Sequence, residues 1–237
     1  LTKIFNDKKY LLEKSYDYYT QAINILIYKK DFKYAAEIYP NVIGVLINMD
    51  ISGEQLALEY CKFANVIYKI NKEKSVKTYE CALCCYEKSN NKDNNIKEIL
   101  LKIINIYDEL KLYNELINYL EKYKLNYDDN KLSIKLGDCY IRNDNIYKAY
   151  VVYKENYNKT KDKNSFLKYF LCNICLGLEK SSDLLYPPLD FIQELLFIEQ
   201  LSTHNLTKLN HEDEIVNILL NIIVHTNLKQ SNLFGLG

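Results

Sequence analysis

Six glycines and three prolines in 237 residues are too few to punctuate a chain of this length into many strands and tight turns. Alternating apolar-polar runs bounded by turn pairs are missing as well, and the two absences favour an all-α fold. No stretch approaches the roughly 18–20 apolar residues that span a bilayer. The nearest, residues 215–224, is interrupted by Asn217 and Asn221. Neither charge is in excess, with 31 basic and 31 acidic residues, so the positive surplus of a dedicated nucleic-acid binder is lacking. No Gly-rich phosphate loop and no Gly-x-Ser-x-Gly elbow occur. His204, His211 and His225 are the only histidines, and His211-Glu212 lacks the second His of a zinc-protease helix. These gaps point away from an enzyme, with no catalytic residues, metal or cofactor expected. No secretory leader opens the sequence. Seven cysteines, an odd number scattered through helical segments, suit a reducing, cytoplasmic setting better than a disulfide framework.

What the sequence does contain is helical periodicity. Leu136-Gly137-x-x-Tyr140, followed by Ala149 and Tyr153, has the tetratricopeptide spacing, in which two antiparallel helices meet where small residues admit aromatic rings. On a helix over residues 128–143, Leu132, Leu136, Cys139 and Tyr140 share one face. A second helix starting near Asn145 presents Ile146, Ala149, Tyr150, Tyr153 and Tyr157 as the matching stripe. Gly137 and Ala149 lack the bulk to hold the axes apart, so Tyr140 and Tyr153 fill the space beside them. Residues 142–145 form the turn, where Asn and Asp tolerate left-handed backbone angles and can cap the following helix.

The same reading places helix pairs at 8–28 with 31–47, and at 56–70 with 72–88. Ser52-Gly-Glu-Gln55 forms a capping box before the second pair, an Asn-rich loop spans 89–95, and a third pair contains Tyr107, Leu116 and Leu120. From 164 onward the pattern changes: a helix over 166–178, a stop at Tyr186-Pro-Pro188, then apolar helices near 190–201 and 211–225. The expected fold is therefore an all-α, right-handed α-solenoid of TPR-like antiparallel helix pairs with a C-terminal helical bundle. The repeat sheet is expected over residues 1–163, the helical cap or bundle over 164–226 and a tail over 227–237.

Cys81-x-x-Cys84-Cys85 and Cys172-x-x-Cys175 have metal-like spacing. Both sit mid-helix, where they read better as small hydrophobes on buried faces, and the 72–88 helix looks buried on both sides. Most of the 23 tyrosines fall at core spacing, which favours packing over base stacking. Charge is uneven along the chain. Residues 141–168 hold seven basic residues (Arg142, Lys148, Lys154, Lys159, Lys161, Lys163 and Lys168) against three acidic, and residues 179–214 reverse this to eight acidic against two basic. Solvated faces account for that pattern, and so does a dipolar adaptor holding an acidic partner at the middle repeats and a basic one near the C-terminus.

Asp31-Phe-Lys-Tyr-Ala-Ala-Glu-Ile-Tyr39, then Asn48-Met-Asp-Ile-Ser-Gly-Glu-Gln-Leu-Ala-Leu-Glu-Tyr60, then Ala64-Asn-Val-Ile-Tyr68 resemble, in order and spacing, the soluble NSF attachment proteins, most closely their gamma branch. The resemblance covers roughly residues 30–180. It implies a non-enzymatic cytoplasmic adaptor, peripheral on membranes, whose basic face grips an assembled, syntaxin-containing SNARE complex. In that family C-terminal acidic residues and a near-terminal Leu recruit and stimulate the NSF ATPase. Carried over, Arg142, Lys148, Lys154, Lys161, Lys163 and Lys168 would meet the SNARE complex, while Glu212, Asp213, Glu214 and Leu236 would meet NSF. The alternative is another TPR-like scaffold subunit, of a vesicle coat or a multiprotein complex.

Overall fold

The computed structural model describes residues 2–89, 93–178 and 211–233. Among them every regular element is a helix. In chain order these are α1 (Thr2–Tyr28), α2 (Phe32–Asn48), α3 (Gly53–Tyr68), α4 (Lys72–Lys88), α5 (Asp93–Leu110), α6 (Tyr113–Asn126), α7 (Asn130–Arg142), α8 (Ile146–Thr160), α9 (Lys163–Leu176) and α10 (Glu214–Leu233). Turns of a few residues join most of them, and helices so joined that pack on each other must run antiparallel. The fold is thus all-α, built of TPR-like helix pairs.

Local chemistry sets the helix starts. The side chains of Asp31, Ser52, Asn71, Asp129, Asn145 and Asp162 each accept a backbone N–H three residues on, the N-cap geometry that satisfies one orphan donor of the first turn. Helix ends follow from the scarcity of glycine. Lys30, Asp50, Lys111, Asp144 and Lys161 have φ between 53° and 59°, the left-handed stop that glycine usually supplies. After α1 the Asp31 N–H donates to the Leu26 carbonyl at 2.8 Å, and after α7 the Asn145 N–H donates to the Tyr140 carbonyl at 2.8 Å. These are the six-to-one closures that turn one helix back along the next.

The chain divides into two compact units, residues 1–111 and 112–237. In the first, α1 packs on α2, α2 on α3, α3 on α4 and α4 on α5. One core cluster is formed by Ile23, Ala35, Tyr39, Val42, Leu46 and Val66, with the Tyr39 ring stacked on Phe63 at 4.9 Å. In the second, α6 to α9 pack in sequence and α10 returns against α9 and α7, making the C-terminal bundle. The boundary expected at 163/164 falls inside this second unit. The expected third pair, α5 with α6, is divided between the units.

Three expectations need correction. The loop placed at 89–95 is shorter, because α5 already starts at Asp93. The α4 helix is not buried on both faces. Val76, Tyr79, Ala82, Leu83 and Tyr86 point inward, whereas Cys81 and Cys84 are exposed and Cys85 is half-buried, since α3 and α5 cover one side only. The last helix continues past 226 to Leu233, there being no Gly or Pro before Gly235 to stop it. Tyr186-Pro-Pro188, the helix near 190–201 and His204 lie outside the described residues.

Gly44 lies within α2, and a Cβ there would meet nothing within 4 Å. Gly44→Ala should therefore stabilise the protein by about 0.5–1 kcal/mol through reduced unfolded-state entropy. A rise in the thermal midpoint checks this, and an unchanged or lowered midpoint contradicts it.

Candidate functional site

The seam first visible in the sequence organises the second unit. Gly137 on α7 faces α8, and a Cβ there would stand 2.4 Å from Tyr153 Cε1. The Tyr153 ring is fully buried. Its hydroxyl donates to Asp138 Oδ1 at 2.6 Å. The expected packing of a tyrosine against the glycine is thus present, and it delivers a polar atom into the interior.

That atom belongs to a buried charge cluster. Lys168, on α9, is 2% exposed and donates to Asp138 Oδ1 at 2.8 Å, and it pairs with Asp213 Oδ2 at the same distance. Beside it Arg142 holds Glu214 with both terminal nitrogens, at 3.0 and 2.6 Å, and lies over the Tyr113 ring. Four helices and the residue preceding α10 converge here: α7 gives Asp138 and Arg142, α8 Tyr153, α9 Lys168, and the start of the last helix Asp213 and Glu214. Burial pushes the Asp138 carboxyl up, and the nearby Asp213 charge adds to this, outweighing Lys168 and the Tyr153 hydroxyl. Burial also acts upward on Asp213. There, however, the Lys168 hydrogen bond and charge, helped by the Ile215 and Val216 N–H groups, win and hold the carboxyl below its usual range. Burial and the Asp138 charge drive the Tyr153 hydroxyl well above its ordinary value.

This geometry redistributes the residues singled out in the sequence. Lys168 has no surface to offer an external partner, and Asp213 is its internal counter-ion. Arg142 and Glu214 likewise engage each other. The remaining basic candidates face outward or are half-buried: Lys148, 3.5 Å from Glu121 and over the Tyr140 ring; Lys154, over Tyr150 and Tyr169; Lys161, at the left-handed end of α8 and over Tyr157; and Lys163, the first residue of α9. Glu212 is exposed. Leu236 lies outside the described residues. Asp138 escaped the sequence reading altogether. The signal for its partner was present, since Lys168 sits inside the run Phe-Leu-Lys-Tyr-Phe-Leu, where a solvated lysine has no place.

Cys61, Cys172 and Cys175 are poor sources of thiolate. Burial pushes Cys61 up to about 11 and Cys175 up to about 12, and Cys172 higher still, the reverse of what a thiolate nucleophile or metal ligand needs. Among the described residues no group of three or more Cys, His, Asp or Glu is placed to hold a metal ion. No described helix is long and apolar enough to cross a membrane.

In the first unit an open cleft of about 410 Å³ lies between α3, α4 and α5. Four of its polar groups are engaged in pairs. Tyr79 donates to Asn65 Oδ1 at 2.6 Å and Tyr68 to Glu109 at 2.8 Å, and Lys72 pairs with Glu109 at 2.8 Å.

No protein-family model and no curated protein sequence matches the chain. Similar solved structures are helical. YrrB, a TPR protein with an unusual peptide-binding site, is 14% identical over 77% of this chain and 85% of its own, with a TM-score of 0.43. The MamA protein is 15% identical over 85% of this chain and all of its own, at 0.46. BtubC (BKLC) from P. vanneervenii is 11% identical over 88% and 94%, at 0.45. These likenesses concern the helical fold and nothing else.

Proposed function

We propose that the chain is a non-enzymatic helical-repeat adaptor of the SNARE-disassembly type, one that binds an assembled SNARE complex and presents it to the NSF ATPase. The supporting observation is the order and spacing of the segments from Asp31 to Tyr68, which fall on α2, the capped α2–α3 turn and α3. In this reading the SNARE-facing charge comes from Lys148, Lys154, Lys161 and Lys163, because Lys168 is buried in the bundle and Arg142 is held by Glu214 at its surface. Glu212 and Leu236 are left to meet NSF. The protein would act at a membrane surface through its partners.

The test is a pull-down with a purified SNARE complex and a measurement of NSF ATPase rate. Binding at low salt that weakens as salt rises, with faster ATP hydrolysis, is the expected result; no binding at low salt overturns it. Leu236→Ala should leave SNARE binding intact and abolish the stimulation, and equal stimulation by both forms removes Leu236 from the account.

One observation favours a second reading. The Lys168–Asp213 pair in the interior and the Arg142–Glu214 pair at the surface occupy four residues that the first reading would give to partners, which suits a TPR-like scaffold whose charges serve its own fold. Such a subunit would bind a β-propeller or coat protein and leave NSF unaffected.

A further inference from the structure

Helix α1 is 27 residues long, about 40 Å. Ile23 is buried against α2, with Tyr16, Leu26 and Ile27 packed around it. At about 100° per residue, a second apolar stripe lies roughly a third of a turn away from that contact. It consists of Leu11, Tyr18 and Ile25, which are 63%, 69% and 56% exposed, with Ser15 and Ala22 between them. Single exposed apolar side chains are ordinary. Three of them seven residues apart, separated by small residues in steps of four and three, form the seam of knobs and holes that accepts another helix.

Charge selects the kind of helix. Lys8 and Lys14 flank the stripe on its two sides, and residues 7–30 hold five lysines against three acidic residues. A second copy of α1 would bring like charge against like, whereas a helix with acidic flanks would be complementary.

We propose that the stripe of Leu11, Ser15, Tyr18, Ala22 and Ile25 docks one amphipathic α-helix of a partner protein whose apolar seam is bordered by acidic residues. The surface involves none of the residues assigned to SNARE or NSF contacts and goes beyond that reading, so either can fail without the other. The whole chain is titrated into two fluorescent peptides of about three heptads, identical in their leucine seam, one with Glu and the other with Lys at the flanking positions. The Glu peptide should bind at least about tenfold more tightly, with the preference shrinking as salt rises. Tyr18→Asp should remove the binding without lowering the thermal midpoint, because the ring is exposed. Lys8→Glu with Lys14→Glu should reverse the preference toward the Lys peptide. The proposal is overturned by equal affinity for the two peptides, by no binding of the Glu peptide, by binding that survives Tyr18→Asp, or by a concentration-dependent dimer that Tyr18→Asp abolishes, which would make a second copy the occupant.

Discussion

Gly137→Ala should destabilise the second unit even though alanine is the better helix former. The propensity gain is about 1 kcal/mol. Against it stands a new Cβ that would lie 2.4 Å from Tyr153 Cε1, 2.7 Å from Cζ and 3.0 Å from Cδ1, contacts that require something to move. The ring has nowhere to go. It is fully buried, its hydroxyl is tied to Asp138 at 2.6 Å, and the Lys168 ammonium lies 5.8 Å from its centroid. Separating α7 from α8 would stretch the cluster that both helices feed. Overpacking of this kind costs about 1–3 kcal/mol and occasionally more, which for a chain of this size lowers the thermal midpoint by roughly 2–4 °C per kcal/mol. The clash account makes a second demand. Tyr153→Leu alone should also destabilise, through lost packing and the lost Tyr153 hydrogen bond to Asp138, but adding Gly137→Ala to it should cost far less than Gly137→Ala costs in the wild type. Additive losses in the double variant, or a Gly137→Ala protein as stable as the parent, would mean that the seam tolerates a methyl group and that the contact is not what holds the helices together.

The seam and the caps were legible because their causes are local. Gly137 and Ala149 announce close approach by their size, and Ser52 and Asn145 announce helix starts by the reach of their side chains, all within a few residues of the structure they make. The left-handed stop at Asp144 was readable for the same reason. The charge cluster was not, since its partners are distant in the chain: Lys168 and Asp138 are 30 residues apart, and Arg142 and Glu214 are 72. A count of charges along the sequence recorded a basic middle and an acidic end correctly, and it could not show that parts of the two ends face each other. The α4 cysteines failed differently. Cys81, Cys84 and Cys85 are apolar enough to pass for core, but which face of a helix is covered depends on how many neighbours it has, and periodicity does not contain that number.

Lys168→Met should be the most damaging single change in the chain. Methionine matches the length of the apolar stem, so packing is roughly preserved while the ammonium disappears. Asp138 and Asp213 are then left beside each other in the interior with no cation, and removing one member of a buried ion pair costs about 3–5 kcal/mol, or roughly 6–20 °C in thermal midpoint for a chain of this size. The loss should be concentrated where α10 meets α7 and α9, so amide exchange over residues 215–223, among which Ile215, Val216, Leu219, Leu220 and Ile223 are buried in the parent, should accelerate first. The pH dependence distinguishes a lost charge from a lost contact. In the parent, Asp213 titrates below its usual range, so its contribution is present above the unfolded carboxylate value near pH 4 and is lost as pH falls through the lower folded value. Without Lys168 the two carboxylates repel: Asp138, already raised in the parent, rises further, and Asp213 moves from below the unfolded value to above it. Stability is then full below about pH 4 and lost as pH rises through the raised value. The gap between the variant and the parent should therefore be wide at pH 7 and narrow toward pH 4. Adding Asp138→Asn and Asp213→Asn should recover much of the deficit at neutral pH, since carboxamides bring no charge and can hydrogen-bond each other and Tyr153. A Lys168→Met deficit that is the same at pH 4 and pH 7, or that the double Asn change deepens, would assign the loss to side-chain shape and remove the charge cluster as the reason α10 docks where it does.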